Sequence, residues 1–255
     1  MELLASGWGM AWVCAIVLFA GLTHGLTGFG FPVISTPMVA LMTDVRQAVV
    51  VTLLPNIVVN VMSVFSGGGW RGNLAQHWLV PVVVLVGTVI GAKVVLWAPA
   101  DPLRLLLAAV IVFYLVQTRL ARLDLSVVKR HPRASAVVAG LAAGFLSGTV
   151  NVMLPVLLIY FSILELAPLV MTQVMNACFL VGKLSQAAVF GIAGQFTLHG
   201  IGLALPVCAC AYAGYAAGRM LAPRIGPSRY GMFIQGVLWV MAAVLVVQAV
   251  RGMIA

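Results

Sequence analysis

The sequence predicts an all-α integral membrane protein made of two inverted repeats of five segments, about ten helical segments in all. Each repeat opens on a broken or re-entrant helix pair. Three observations predict this. Of the 255 residues, 63% are hydrophobic and only 7% charged, whereas a soluble domain carries about a quarter charged residues to face water. Six apolar runs reach the length that crosses a bilayer, and two further apolar regions are interrupted near their middles. Basic residues cluster at the ends of these runs rather than along one face.

The first interrupted region, 8–42, is apolar from Trp8 to about Thr23 and then dissolves into GLTHGLTGFGFPVISTP (21–37). The second, 134–166, is interrupted at GFLSGTVNVMLP (144–155). Backbone at 25–32 and 144–151 is a poor helix former, so its N–H and C=O groups lose their internal partners. Such backbone survives in a membrane only inside protein or beside water. The continuous runs lie at about 46–66, 77–97, 102–120, 168–192, 198–218 and 230–250. Trp8, Trp12, Trp70, Trp78 and Trp97 fall near run ends, as an aromatic belt does. The opening MELLASGWGM carries an acid and no basic stretch, so a cleaved leader is not expected.

Each interrupted region is either one broken crossing or a pair of helices that enters and leaves by the same face. Basic residues favour the pair. Arg119, Arg122, Lys129, Arg130 and Arg133 place the connection around 123–133 in the cytoplasm. With 134–166 as a pair, 193–197 emerges outside without a basic residue, and Arg219, Arg224 and Arg229 return inside. Arg71 then falls inside, and Arg46, Lys93 and Arg104 near the outside. Both termini are expected outside. Residues 1–122 form the first repeat and 134–255 the second, and because five is odd the two have opposite orientations.

The halves also match in order. Ala20-Gly21-Leu22 with Gly25 pairs with Ala139-Gly140-Leu141 with Gly144, Thr27-Gly28 with Ser147-Gly148, and Pro37 with Pro155. Thr52 and Asn56 stand where Thr172 and Asn176 stand, and Gly87/Gly91 echo Gly214/Gly218. An inverted repeat with matching interruptions is the sequence pattern of a secondary transporter whose site lies between the two breaks. Two breaks approaching from opposite faces are expected to meet near the midplane, with helix N-termini aimed at an anion. The competing reading, that the glycines serve close helix packing, is preferred for Gly87/Gly91 and Gly214/Gly218.

Candidate substrate contacts follow from these patterns: Thr27, Gly28, Phe29 and Gly30 at the first break, and Ser147, Gly148 and Asn151 at the second. At about 100° per residue Thr172, Asn176 and Lys183 share a helix face, with Gln186 beside them, as Thr52, Asn56 and Ser63 do with Asn60. Thr and Asn donate hydrogen bonds to oxyanions. Lys183 lies deep in an apolar run without an acid, so it is expected to supply positive potential to an anion pathway. Snorkelling toward Glu165 is its alternative. His24, Gln186 and Asn60 are candidates for a proton relay or substrate contact.

Other classes lack their residues. The net charge of +9 comes without a basic tract interleaved with aromatics, so nucleic-acid binding is not expected. Cys14, Cys178, Cys208 and Cys210 all lie in apolar runs without metal-ligand spacing, so no metal or cofactor is expected. No nucleophile–base motif or paired acids occur in the spans, so the chain is not expected to be an enzyme. An anion channel, an intramembrane enzyme and a non-transporting subunit are the competing readings.

The Gly-rich break with its prolines, the weaker copy at GFLSGTVNVMLP, the T-x-x-x-N pairs and the basic central connection resemble the sulfite exporter TauE/SafE family. That resemblance spans nearly the whole chain. It implies a bacterial inner-membrane carrier of sulfite, sulfoacetate or other small organosulfur or carboxylate anions. Partners are then the anionic substrate and the lipid bilayer. Coupling to a proton or to sodium, the direction of transport and the oligomeric state are left open.

Overall fold

The computed structural model describes residues 6–66, 68–120, 126–196, 198–224 and 227–254. Arg122 and the boundary at 122–123 lie outside the described residues. Among the described residues there are twelve helices and no strand. The first half holds α1 (Gly7–Thr27), α2 (Phe31–Met42), α3 (Val45–Val64), the short α4 (Trp70–Gln76), α5 (Leu79–Trp97) and α6 (Ala100–Leu120). After the short α7 (Ser126–Arg130) come α8 (Pro132–Val150), α9 (Leu154–Ile163), α10 (Pro168–Ile192), α11 (Leu198–Leu221) and α12 (Pro227–Ile254). Seven are long and apolar enough to cross a membrane: α1, α3, α5, α8, α10 and most of α11 and α12.

Each helix start has a local cause. Ser6 caps α1 by accepting from the Gly9 N–H at 3.1 Å, and Asp44 caps α3 by accepting from Gln47 at 2.9 Å. Proline near the start of α2, α8, α9 and α10 costs nothing there, since those N–H groups have no intrahelical partner.

The two interruptions are narrower than the sequence suggests. α1 runs through Gly25 to Thr27 and stops at Gly28, whose left-handed backbone (φ 83°) returns its N–H to the His24 carbonyl at 2.7 Å. α8 runs through Gly144 and Gly148 to Val150 and stops at Asn151, left-handed at φ 66°, with its N–H on the Ser147 carbonyl at 3.1 Å. Glycine enters that region freely, and asparagine is among the few other residues that do so readily. The helices that follow have 12 and 10 residues, about 18 and 15 Å of rise. Neither spans hydrocarbon alone.

Gly25, Gly144 and Gly148 serve packing instead. α1 crosses α11 so closely that a Cβ on Gly25 would lie 2.2 Å from the Tyr215 carbonyl, and one on Gly214 2.1 Å from that of Leu18. α5 crosses α8 in the same manner: a Cβ on Gly91 would meet the Phe145 carbonyl at 2.3 Å, and one on Gly148 the Thr88 carbonyl at 2.4 Å. These are small-xxx-small contacts between backbones. In both crossings the helices run in the same direction, since Gly21 meets Ala211 while Gly25 meets Gly218, and Gly87 meets Gly144 while Gly91 meets Gly148.

α3 and α10 lie between these crossings and run oppositely. Gln173, in the first turns of α10, bonds the Ser66 carbonyl just beyond the end of α3. Phe196, just beyond the end of α10, packs near Val50 and Leu54 at the start of α3. Charges decorate the ends. Arg46 donates to the Val95 and Ala98 carbonyls at 3.0 Å each, Asp101 pairs with Arg104 at 2.7 Å, and exposed Lys129 pairs with exposed Glu165 at 2.6 Å.

Candidate functional site

The polar stripes of α3 and α10 turn inward. Thr52, Asn56, Asn60, Ser63, Asn176, Lys183 and Gln186 are buried, and Thr172 is half-buried. They form two clusters, one around each interruption.

At the first interruption, Gly28 rests against Thr172, where a Cβ on the glycine would come within 3.0 Å of the threonine methyl. Asn176 donates to the Gly28 carbonyl at 2.8 Å. His24, buried one turn before the break, bonds Ser63 through Nε2 at 2.9 Å, and its Nδ1 accepts from the Phe31 N–H at 3.4 Å. The ring therefore caps α2, and the first free N–H of that helix is not available to an anion. Thr27 donates to the Thr23 carbonyl at 2.9 Å, and its hydroxyl oxygen also lies against the Phe29 carbonyl. Thr27, Phe29 and Gly30 border a cavity of about 90 Å³ that also touches Tyr114 and Gln235.

At the second interruption, the Asn151 amide donates to Thr36 at 2.8 Å and to Thr52 at 3.0 Å, while its oxygen accepts from Lys183. Lys183 also donates to Gln186 at 2.9 Å and to the Ser147 carbonyl at 3.5 Å. Gln186 in turn donates to the carbonyls of Gly148 at 3.0 Å and Ser147 at 3.3 Å. Lys183 is 1% exposed and every partner it has is neutral. It does not snorkel, and Glu165 is paired with Lys129 instead. A lysine held by amide and carbonyl oxygens alone has, when protonated, no counter-ion among its partners.

The two clusters do not meet at one point. Gly28 touches Thr172 and Asn151 touches Lys183, and these α10 residues are 183 − 172 = 11 positions apart, about 16 Å of helix. α3 measures the same span, since Thr52 bonds Asn151 and Ser63 bonds His24 (63 − 52 = 11). The expected single midplane point is replaced by a buried seam with a break near each end. Asn56, Asn60 and Asn176 line it. Asn60 donates to Asn56 at 2.9 Å, which leaves Asn56 Nδ2 and Asn60 Oδ1 buried without a protein partner. Ser147 Oγ and Thr88 Oγ1 are orphaned likewise.

Four contributors escaped the sequence reading. Thr36 and Ser35 stand out only as a polar pair in a short apolar helix. Thr88 follows the packing glycine Gly87, and its hydroxyl and that of Ser147 lie 3.2 and 3.4 Å from the position a Cβ on Gly182 would take. Gln173 is 100° off the Thr172 stripe, yet it is fully buried. It accepts from Asn73 at 2.6 Å and donates to the Ser66 and Gly68 carbonyls at 2.9 and 2.8 Å. It thereby latches the segment leading into α4 over the end of the seam nearest Thr172. Among the described residues no His, Cys, Asp and Glu group could hold a metal ion.

The buried polar seam lies within a bundle of helices long and apolar enough to cross a membrane. Residues 13–245 match the family described as Sulfite exporter TauE/SafE. No curated protein and no solved structure matches the chain. The chain is thus a multi-pass membrane protein that belongs to the sulfite exporter TauE/SafE family of membrane transporters.

Proposed function

We propose that this protein is a secondary transporter of small anions that works by alternating access, carrying sulfite or a small organosulfonate or carboxylate through the seam between α3 and α10. The observation that carries the reading is Lys183, buried among neutral acceptors only. A cation kept there without a counter-ion is costly, and a transient anionic partner offsets that cost. Asn56, Ser147 and Thr88 supply donors that no protein atom uses. Thr52, Thr172, Asn176, Asn151 and Gln186 hold the two breaks against the seam, and Thr27, Gly28, Phe29 and Gly30 form its far end.

Two inverted repeats underlie this reading. In support, α1 lies along α11 as α8 lies along α5, while α3 and α10 run oppositely. Pro32 and Pro155 both stand second in the helix after a break, 155 − 32 = 123 positions apart. The packing pairs Gly21/Gly25 and Gly144/Gly148 share that offset of 123, from 144 − 21 and 148 − 25, a match that replaces the pairing with Gly140/Gly144 drawn from the sequence order. The charge distribution supports a cytoplasmic connection at 123–133 and both termini outside, and the family relationship supports residence in a bacterial inner membrane. His24 is the proposed proton carrier, because protonating Nδ1 would break its bond to Phe31 and free the start of α2.

Purified protein in liposomes tests the reading. External labelled sulfite should accumulate against internal unlabelled sulfite, with a rate that saturates. Flux that rises linearly with concentration and shows no counterflow would replace the carrier with a channel.

A further inference from the structure

The seam uses neither Arg219 nor the groove beside it. We propose that the groove between the ends of α3 and α11 binds one anionic phospholipid, with its phosphate on Arg219 and its acyl chains against Met62 and Phe65. The groove measures about 410 Å³ and is walled by Met62, Phe65 and Ser66 from α3 and its exit turn, and by Tyr212, Tyr215 and Arg219 from α11. α3 ends at Val64 and α11 at Leu221, so the groove sits where both spans leave the hydrocarbon. A headgroup belongs at that depth.

The walls are amphipathic in the order a lipid requires. Phe65 (54% exposed), Tyr212 (46%) and Met62 (41%) are open to the outside and continue the apolar outer stripe of α11 that includes Leu205. Arg219, Tyr212 and Tyr215 offer donors. Arg219 is exposed, and among the described residues it has no carboxylate partner. Its bond to the Tyr215 hydroxyl is 3.4 Å long. A guanidinium fork suits phosphate, and aromatic rings with hydroxyls gather at headgroup level. Arg224 lies exposed five positions on, and Arg71 sits over Trp70, itself packed on Phe65 at 5.0 Å. A basic end with no acid paired to it among the described residues attracts anionic lipid. A free anion would leave the apolar wall unused, so the lipid is the better match.

Occupancy there would reach the first break. The Ser66 carbonyl accepts from Gln173, and the Tyr215 ring packs edge-on to His24 at 5.9 Å. This inference needs only a membrane-embedded chain, so it stands or falls apart from the anion seam.

Detergent-purified protein, titrated with phosphatidylglycerol, phosphatidylcholine or inorganic phosphate, gives the test by thermal shift and native mass spectrometry. One phosphatidylglycerol should remain bound and raise the melting midpoint, while phosphatidylcholine and phosphate do neither. Arg219→Gln should weaken phosphatidylglycerol at least tenfold, whereas Arg251→Gln, at the exposed end of α12, should leave it unchanged. Ala216→Phe, which fills the groove without altering charge, should abolish retention even if Arg219→Gln fails to fold. Equal stabilisation by inorganic phosphate, or full retention by Ala216→Phe, overturns the proposal. A sulfite-induced shift in Ala216→Phe would show that the seam is intact whichever way the lipid result falls.

Discussion

Replacing Lys183 by methionine separates its charge from its bulk. The ammonium touches Asn151, Gln186 and the Ser147 carbonyl, so an anion engaging it approaches to about 4 Å. At an effective dielectric near 20, that attraction is worth about 4 kcal/mol, an upper bound before the anion's own desolvation. At about 1.4 kcal/mol per tenfold, affinity should fall by at least tenfold and at most about a thousandfold. Stability should move little. Methionine leaves two buried amide oxygens without a donor, about 1–3 kcal/mol each, but removes a buried charge that costs a few kcal/mol. Sulfite binding by calorimetry and counterflow in liposomes read the first effect, and the melting midpoint reads the second. Lys183→Arg should retain part of the affinity. Wild-type binding by Lys183→Met would refute the assignment, because Lys183 is the only buried lysine or arginine among the described residues.

Three further outcomes are expected. Gln173→Ala removes three hydrogen bonds to Asn73, Ser66 and Gly68, about 2–4 kcal/mol in favour of an open end, so a cysteine at Thr172 should react faster with an impermeant thiol reagent. An unchanged labelling rate would remove the latch. Gly148→Ala places a Cβ 2.4 Å from the Thr88 carbonyl and 2.5 Å from the Ala92 nitrogen, so α5 and α8 must part by about 1 Å, and overpacking of that kind costs about 1–3 kcal/mol. A lowered melting midpoint checks it. Finally, the Lys129 ammonium holds the Glu165 carboxyl below its ordinary range, so any stability from this pair is present above the ordinary glutamate pKa and fades as pH falls through the lowered one. Both groups are open to solvent, so Lys129→Ala should leave the melting midpoint unchanged at pH 7.

The spans were legible because apolar length is a local signal, and each expected run lies within a few residues of a helix. The inward turn of the α3 and α10 stripes was legible for the same reason, since period and polarity are both local. The breaks were only half legible. A glycine that tolerates left-handed backbone, such as Gly28, reads like one that lets two backbones touch, such as Gly148, and only the partner helix tells them apart. Pro37 was matched to Pro155, but Pro37 lies inside α2 while Pro32 occupies the equivalent start. Thr88 and Gln173 were invisible because their importance lies in what α8 and the α4 segment bring to them. The depth of the breaks was also beyond local reading, since it depends on how α10 slides along α3.

That arrangement bears on which parts move. The closest backbone contacts join α1 to α11 and α8 to α5, and each pair takes one helix from either half. Packed crossings of this kind are rigid, so the moving bodies should cut across the two halves, with α3 and α10 sliding at the joint between them. Cross-linking distinguishes this from two halves rocking as units. Cys14 and Cys210 are free, half-buried cysteines on the two helices of the α1–α11 crossing. In a background with Cys178 and Cys208 replaced, joining Cys14 to Cys210 should leave counterflow intact. Cysteines at Asn73 and Gln173, whose side chains meet at 2.6 Å, should trap one state and stop it when joined. If rigid halves rock instead, the Cys14–Cys210 link ties them together and flux is lost. Continued flux through an Asn73–Gln173 link would show that this end of the seam need not open at all.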